Sequence, residues 1–468
     1  MTVLDTSPGL DYHAALAALA ERGRFGIRLG LGRTRALLRE LGDPQLTVRG
    51  ALVTGTNGKG SVLALAGSAL RAAGLHVGET PKPHLVSYRE RVVVDGRPIS
   101  APDFTRHVAA VLATAGAVAR RHGDPTEFEL LTAVVFRHFA EARLDVALVE
   151  VGLGGRLDAT HAWDGGVAAV TNVALDHMDR LGPTIAAIAR EKAAIIERGD
   201  RAVTGATGEA LDIVRRRARR VGAPLTIVEA PPLIGQDLDG ITVDLPRLGP
   251  TRVGLRGRHQ AANVAVADAI LDALEDAGIA AADDDARRRG YATAAWPGRL
   301  ELLSIPGGGH VLLDGAHNPA GAAALAVALD DLRPLLPEGP VRLVVAAMSD
   351  KDVDGVIAAL AGSRALDAAT VYATTLPGLP RAMAAARLAA AWRRLAPGIR
   401  EITVVADPVA ATDRAIDAGR GRGLTVVAGS LYLVGAVRAH LVDDPDLRDP
   451  EPEPATGTRT TARPEIVQ

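Results

Sequence analysis

The feature of this sequence that most restricts its fold is a glycine-rich loop between a predicted strand and a predicted helix. Residues 46–55, LTVRGALVTG, have the β-branched content of a strand, and apolar residues recur at helical spacing from Ser61 to Ala73, before Gly74. In this order, the loop amides and the positive end of the helix dipole surround an anion. We therefore predict an α/β protein with a P-loop nucleotide-binding domain built on a mainly parallel sheet.

The loop itself is a shortened phosphate-binding loop. The common pattern G-x-x-x-x-G-K-[ST] is not met, because Val53 stands where the first glycine should be and Gly60 follows Lys59. We expect Lys59 to reach the β and γ phosphates and Ser61 to bind Mg²⁺ through its hydroxyl. The alternative is an ordinary glycine turn at a helix start. The predicted nucleotide contacts in the loop are Thr56, Asn57, Gly58, Lys59, Gly60 and Ser61.

Two later strands carry polar groups where open parallel sheets bind ligands, at their carboxyl ends. Glu150 lies inside the apolar run VALVEVG, and a buried carboxylate there needs a cation or hydrogen bonds. A structural salt bridge to an arginine is the alternative. His177 ends a second predicted strand, 166–177, although a lone histidine is more often structural.

Alternating strand and helix patterns divide the chain into two α/β units and a tail. We predict a nucleotide-binding domain over 1–296, with a β-rich extension at about 201–256 where proline-rich, weakly alternating pieces occur. The alternation restarts near Trp296 and predicts a smaller Rossmann-like domain over 297–442. The tail 443–468 has few apolar residues to bury, and we expect it to be disordered.

Composition narrows the partners. The chain has 468 residues, a net charge of -2 and no cysteine, and no apolar run reaches membrane-spanning length. Acidic and basic residues are balanced, so the composition does not indicate binding to nucleic acid or to an anionic membrane. We therefore expect small-molecule partners, and we expect a cytoplasmic protein.

Eleven stretches resemble, in order along most of the chain, the motifs of the folylpolyglutamate synthase/dihydrofolate synthase family of the Mur ligase superfamily. They are GTNGKGS (55–61), PHLVSYRER (83–91), EFELLTA (127–133), VEVGLGGRLDAT (149–160), VTNVALDH (170–177), IAREKAAII (188–196), GRHQAANV (257–264), PGRLE (297–301), LLDGAHNP (312–319), SDKD (349–352) and GSLYLVG (429–435).

The resemblance implies an ATP-dependent amide ligase with one or two Mg²⁺ ions, and a monovalent cation is a further expected ion. It implies the metal ligands Ser61, Glu150, His177 and, if carbamylated, Lys192. It implies that Asn263 contacts the adenine, that Arg299 reaches the γ-phosphate, and that Asp314 and His317 contact nucleotide and amino acid. The residues expected to act in catalysis are Lys59, His177, Lys192, Arg299 and His317, and those expected to bind substrate are Lys82, His84, Glu127 and Asp158. Family habit also favours a monomer.

The expected reaction joins glutamate to dihydropteroate or to a reduced folate through an acyl phosphate. One departure bears on the acid: the family usually has Thr-Ser-Pro-His-Leu where this chain has Pro81-Lys82-Pro83-His84-Leu85. A lysine adds volume and positive charge, so a ligase for another carboxylic acid stays open. A P-loop switch without ligase activity is the alternative from another class.

Overall fold

The computed structural model describes residues 10–23, 28–307, 309–420 and 422–451. These residues form two α/β halves, each built on a mainly parallel sheet, and a small antiparallel sheet. The predicted fold class is therefore confirmed. Within these ranges, no helix has both the length and the apolar character needed to span a membrane.

The first half is an eight-stranded sheet in the order β4-β3-β2-β5-β1-β6-β7-β8, parallel from β2 to β8. Its strands are β1 (Gly50–Thr54), β2 (Val77–Thr80), β3 (Val93–Val94), β4 (Arg97–Pro98), β5 (Val146–Glu150), β6 (Gly166–Val170), β7 (Arg201–Thr204) and β8 (Leu225–Ile227). Its helices are α1 (Tyr12–Gly23), α2 (Gly32–Glu40), α3 (Lys59–Ala72), α4 (Ala101–His122), α5 (Glu127–Ala142), α6 (Met178–Leu181), α7 (Ile185–Ala193) and α8 (Gly208–Val221).

The small sheet and two helices follow in the chain. They are β9 (Leu233–Asp237), β10 (Gly240–Leu245), β11 (Gly249–Val253), α9 (Gln260–Asp276) and α10 (Asp284–Thr293). Helix α3 packs against α9 and α10 and is buried along most of its length. The contact with α10 is very close, since a Cβ built on Gly290 would lie 2.3 Å from the Cα of Ala69.

The second half is a six-stranded sheet in the order β12-β13-β17-β14-β15-β16, antiparallel only between β12 and β13. Its strands are β12 (Glu301–Ser304), β13 (His310–Leu313), β14 (Val341–Val345), β15 (Thr370–Ala373), β16 (Glu401–Val404) and β17 (Leu424–Ala428). Its helices are α11 (Pro319–Leu332), α12 (Val353–Ala361), α13 (Ala385–Leu395), α14 (Pro408–Ala418) and α15 (Leu431–Leu441).

Three predicted boundaries were wrong. Residues 201–227 form strands β7 and β8 of the large sheet and the helix α8 between them, so the β-rich extension is limited to 233–253. The strand expected from 166 to 177 ends at Val170, because Thr171 and Asn172 turn their side chains to the glycine-rich loop. The strand expected from 46 begins at Gly50, after a 3₁₀ turn at Pro44–Thr47.

The predicted disordered tail is also wrong for its first part. Residues 443–451 contain a 3₁₀ turn, Pro445–Leu447, and Asp449 accepts hydrogen bonds from Tyr12 and Ser87. The rest of that prediction, 452–468, lies outside the described residues.

Candidate active site

The glycine-rich loop leaves β1 and enters α3 with its lysine folded over the loop. Nζ of Lys59 donates to the carbonyl oxygens of Gly55 at 3.0 Å and Thr56 at 3.2 Å. Gly58 has φ 83°, the left-handed region that favours glycine. The loop amides therefore remain at the N-terminus of a 14-residue helix, where an anion is stabilised.

Residues that follow β6 hold the loop from the neighbouring strand. The Thr171 hydroxyl donates to the carbonyl oxygen of Asn57 at 2.7 Å, and Asn172 donates to the same oxygen at 3.0 Å. The backbone amide of Asn57 in turn donates to the side-chain oxygen of Asn172 at 3.0 Å. The loop conformation is fixed by side chains as well as by its glycines.

Two loop glycines allow close approach of the segment 260–296. A Cβ on Gly58 would lie 2.3 Å from Oδ1 of Asn263, and a Cβ on Gly60 would lie 2.5 Å from the Trp296 ring. Asn263 donates to Gln260 at 2.7 Å. Ser61 is buried, with its hydroxyl oxygen 3.5 Å from Nε2 of Gln260.

Glu150 lies at the end of β5 beside the loop and is 3% exposed. Its Oε1 is 3.9 Å from Nζ of Lys59, and its Oε2 accepts from the backbone amide of Lys82 at 2.9 Å. Burial raises the pKa of Glu150, and Lys59 opposes that effect. No arginine pairs with this carboxylate among the ion pairs of the described residues, so the alternative salt bridge is absent there.

Lys192 lies on the inner face of α7 and is 5% exposed. Its Nζ donates to the carbonyl oxygen of Gly55 at 2.8 Å. Burial, together with the charge of Lys59, lowers its pKa to about 7. A substantial neutral fraction is then present near neutral pH, and the neutral amine is the form that reacts with carbon dioxide.

The two α/β halves meet at Asp176. Its Oδ1 accepts from Nζ of Lys351 at 2.6 Å, and its Oδ2 accepts from Nδ2 of Asn318 at 3.0 Å. Asn318 also donates to Oδ1 of Asn57 at 3.1 Å. Burial alone would raise the pKa of Asp176, but His177, Lys351 and Asn318 outweigh it and hold the pKa well below its usual value. Side chains from both halves thus contact the phosphate loop region.

Two histidines flank this junction. His177 precedes α6 with φ 50°, and its Nε2 lies 3.3 Å from Nζ of Lys351. His317 places Nδ1 2.8 Å from the carbonyl oxygen of Gly315 and Nε2 3.8 Å from Asp176. Burial, and then Lys351, lowers the pKa of both, to about 4 for His317. The ring of His317 is therefore neutral near pH 7.

Arg299 and Asp314 lie at the link between the halves. Arg299 donates to the carbonyl oxygen of Gly298 at 3.0 Å, and burial lowers its pKa while Asp314 and Glu150 oppose that effect. Asp314 accepts from the amides of Leu300 and Ala316, both at 2.9 Å. The carboxylate thereby fixes the segment that carries the arginine.

A second cluster forms beside β2 and β5, in the loop 81–91. His84 accepts from Nε of Arg91 at 2.8 Å and stacks on Tyr88 at 4.3 Å between ring centroids. The Tyr88 hydroxyl donates to Glu127 at 2.8 Å. Burial lowers the pKa of His84 to about 3. His84 and Glu127 are therefore joined through Tyr88.

Lys82 lines a small cavity of about 10 Å³ together with residues that include Arg91, Phe128 and Thr160. Its Nζ donates to the carbonyl oxygen of Glu150 at 2.6 Å and lies 5.4 Å from the Phe128 ring centroid. Burial lowers the pKa of Lys82 to about 8. Asp158, nearby, accepts from Leu153 and Thr160 and caps the turn Ala159–Ala162.

The possible metal ligands beside the loop suit an open Mg²⁺ site and not a site closed by protein ligands alone. Within the described residues no three His, Cys, Asp or Glu side chains gather around one point. A buried hydroxyl, Ser61, and a buried carboxylate, Glu150, instead flank the loop. This fits a cation that takes few protein ligands and keeps phosphate oxygens and water.

The sequence predicts no role for Lys351 and Asn318, which join the two halves. It also predicts none for Thr171, Asn172 and Arg91, which bind within the first half. A signal existed for Asn318, which follows His317 and precedes a helix. Nothing in the local pattern around Lys351 distinguishes it from a solvated turn.

Two models of protein families match this chain. Residues 101–271 match the Mur ligase middle domain, and residues 298–431 match the Mur ligase glutamate ligase domain. The dihydrofolate synthase/folylpolyglutamate synthase of Bacillus subtilis is 36% identical over 358 residues, which cover 74% of this chain and 82% of the relative.

Three solved structures are similar over nearly the whole chain. Mycobacterium tuberculosis folylpolyglutamate synthase, complexed with ADP and AMPPCP, has a TM-score of 0.82 and 33% identity and covers 93% of this chain and 100% of its own. E. coli FolC with DHPP and ADP has a TM-score of 0.77, 31% identity and coverages of 94% and 99%. The bifunctional Yersinia pestis enzyme with AMPPNP and Mn has a TM-score of 0.78, 32% identity and coverages of 94% and 100%.

Proposed function

Because this chain belongs to the folylpolyglutamate synthase/dihydrofolate synthase family of Mur ligases, we propose that it joins L-glutamate to dihydropteroate, to a reduced folate, or to both. The reaction consumes ATP with a divalent cation and releases ADP and phosphate. Relatives crystallised with ADP, with DHPP and ADP, and with AMPPNP and Mn support the ligand classes.

The observation that carries the proposal is the junction at Asp176. Lys351 and Asn318 of the second half bind it directly, and Asn318 also binds the phosphate loop at Asn57. A nucleotide switch does not need residues of a second domain on its phosphate loop, whereas an amide ligase must bring three substrates together. The convergence favours the ligase over the switch.

The residues divide into phosphate-binding and acid-binding groups. Lys59, the loop amides and Arg299 would neutralise phosphate charge, and we expect Arg299 to stabilise the transferring phosphoryl group. Bound Mg²⁺ would supply Lewis-acid stabilisation of the phosphates, held by Ser61 and Glu150 with His177 nearby. The acid carboxylate attacks the γ-phosphate, and the glutamate amine then displaces phosphate from the acyl phosphate.

Contact between the two halves would protect the acyl phosphate from water. The acyl phosphate is hydrolysed if water reaches it, and closed domains exclude water. His317 and Lys351 lie on the second half, next to Asp176, where the amine must approach. Burial lowers the pKa of His317 to about 4, so its neutral ring adds no positive charge where the glutamate amine approaches.

We assign the acid to the region around Lys82, Phe128 and Asp158. The Phe128 ring offers an aromatic face to a flat heteroaromatic group, and Lys82 adds a cation where the family has serine. Lys82 is also the observation that favours a second candidate, a paralogue that couples a different and more anionic acid to an amino acid.

For Lys192 we propose carbamylation, which would turn a buried cation into an anion able to bind a second Mg²⁺. Its position 2.8 Å from Gly55 and its lowered pKa support this role. Asn263, against Gly58, is proposed as the adenine contact.

We also propose that the protein is a cytoplasmic monomer of two domains, 1–296 and 297–442, and that a monovalent cation is an additional activator. Balanced charge and the absence of cysteine support the location, and family resemblance supports the remainder. Sedimentation of the purified protein tests the monomer, and a potassium-for-sodium exchange tests the cation.

The test is identification of the product. The enzyme is incubated with ATP, Mg²⁺, glutamate and either dihydropteroate or a reduced folate, and the products are separated by mass. We expect a glutamyl adduct of one or both acids. ADP formation with neither adduct, but with an adduct of another acid, would favour the second candidate.

A further inference from the structure

The C-terminal segment, residues 443–451, lies on the first half of the molecule although it follows the last helix of the second half. Oδ1 of Asp449 accepts from the hydroxyls of Tyr12 and Ser87, each at 2.7 Å. Nε of Arg89 lies 3.4 Å from the same oxygen, and Nη2 of Arg89 donates to the carbonyl oxygen of Arg448 at 2.8 Å. One carboxylate thus completes a cluster made of distant parts of the chain.

The cluster needs this carboxylate. Tyr12, Ser87 and Arg89 are all buried, with exposures of 6%, 1% and 6%. Among the ion pairs of the described ranges, Asp449 is the one carboxylate that pairs with Arg89. Without it, a buried guanidinium would lose its charge partner, which is costly because a buried charge needs compensation.

Ser87 and Arg89 belong to the loop 81–91 that carries Lys82 and His84. Ser87 caps the turn Tyr88–Arg91, and Glu90 accepts from the amides of Leu85, Val86 and Ser87. The same turn places Tyr88 and Arg91 against His84. Whatever fixes Ser87 and Arg89 therefore fixes the acid-binding side chains.

The second half contacts this loop at one more point. Helix α15 approaches so closely that a Cβ on Gly435 would lie 2.0 Å from the carbonyl oxygen of Leu85. The loop 81–91 is thus held from one side by α15 and from the other by the segment that follows it.

We infer that Asp449 is a positioning residue for the acid substrate: it orders the loop 81–91 by binding Ser87, Arg89 and Tyr12. This rests on the proposed function, because the loop is assigned to the acid there. The C-terminal segment makes acid binding depend on the second half of the molecule, beyond the direct contacts at Asp176.

The test compares full-length Asp449→Ala, Asp449→Glu and Asp446→Ala with the wild type. Asp446 is an exposed carboxylate of the same segment and is the matched control. We expect Asp449→Ala to raise KM for the acid on the order of tenfold, as for loss of a charged hydrogen bond, with KM for ATP and glutamate nearly unchanged. Asp449→Glu should recover part of the loss, and Asp446→Ala should behave as wild type.

Amide hydrogen exchange supplies a readout that does not need activity. Asp449→Ala should speed exchange in residues 85–92 and leave residues 55–61 unchanged. The inference is overturned if exchange in 85–92 does not change, or if all three KM values rise equally with a lower Tm. If the wild type accepts no pteroate or folate acid, the proposed function fails, and exchange still decides the role of Asp449.

Discussion

Nζ of Lys351 lies 2.6 Å from Oδ1 of Asp176, joining residues 175 positions apart across the two α/β halves. Both side chains are largely buried, with exposures of 15% and 10%. The pair lies between His177 and His317, so it links the approach of the domains to the groups expected around the phosphates.

Removing either partner of this pair should impair turnover. Lys351→Met and Asp176→Asn should each lower kcat/KM about 100-fold, because the removal of one preorganised charge at such a site costs roughly 3 kcal/mol. The double variant should be little worse than either single variant, since both remove one interaction. Steady-state ADP release measures all three. Losses that simply add would mean that the two residues act independently.

Lys192 should be indispensable while its exposed neighbour is not. Lys192→Ala should lower kcat by about 100-fold or more, because both the contact with Gly55 and the proposed carbamate are lost. Arg190→Ala, on the exposed face of the same helix, is the matched control.

The modification itself can be observed by carbon NMR after growth in labelled bicarbonate. A carbamate signal absent from Lys192→Ala is expected. An unmodified amine in a carbon dioxide-containing buffer, together with a fully active Lys192→Ala, would refute the role.

The side chain at position 82 should affect the acid and not the nucleotide. Lys82→Ser should change KM for the acid about tenfold while KM for ATP stays within about twofold, since Nζ points to the pocket beside Phe128. Lys82→Met keeps the volume and removes the charge, which separates the two effects. Unchanged acid kinetics in both variants would show that the family's serine and this lysine are interchangeable.

Asp200 should make the free energy of unfolding fall as the pH rises. Burial, together with the neighbouring Asp164, raises its pKa to about 7, from 3.8 in a model peptide. The folded state then retains a proton that the unfolded chain releases, so stability falls as pH rises from about 4 to 7.

The variant Asp200→Asn lacks this titration. The free energy of unfolding of this variant, relative to that of the wild type, should increase by roughly 1–3 kcal/mol between pH 5 and pH 8. Its Tm relative to the wild type should rise accordingly. Thermal unfolding at both pH values measures it. A constant difference between the two proteins would contradict the assignment.

The parts of the site that lie within one strand-loop-helix unit were predictable from sequence. Glu150 stands out because a carboxylate inside VALVEVG conflicts with burial, and Lys59 because glycines precede a helix start. Lys351 could not be found in this way, since its partner Asp176 is remote in sequence and SDKD reads as a polar turn. The role of Asp449 is hidden for the same reason, because the local composition favours disorder and cannot reveal the buried Arg89.

The end of β6 illustrates a different limit. Apolar residues continue after Val170, so periodicity extends the strand to His177. The side chains of Thr171 and Asn172 instead donate hydrogen bonds to Asn57. His177 then lies just before a short helix at the domain junction. Tertiary contacts override the local pattern there.

The central claim is that the acid carboxylate is phosphorylated by ATP before the amide forms. The most direct measurement uses an acid whose carboxylate oxygens carry a heavy isotope and follows the label into inorganic phosphate by mass spectrometry. The account predicts one labelled oxygen in the phosphate released for each amide formed, with no ADP when acid and glutamate are both omitted. Unlabelled phosphate released at the same rate with or without the acid would contradict it.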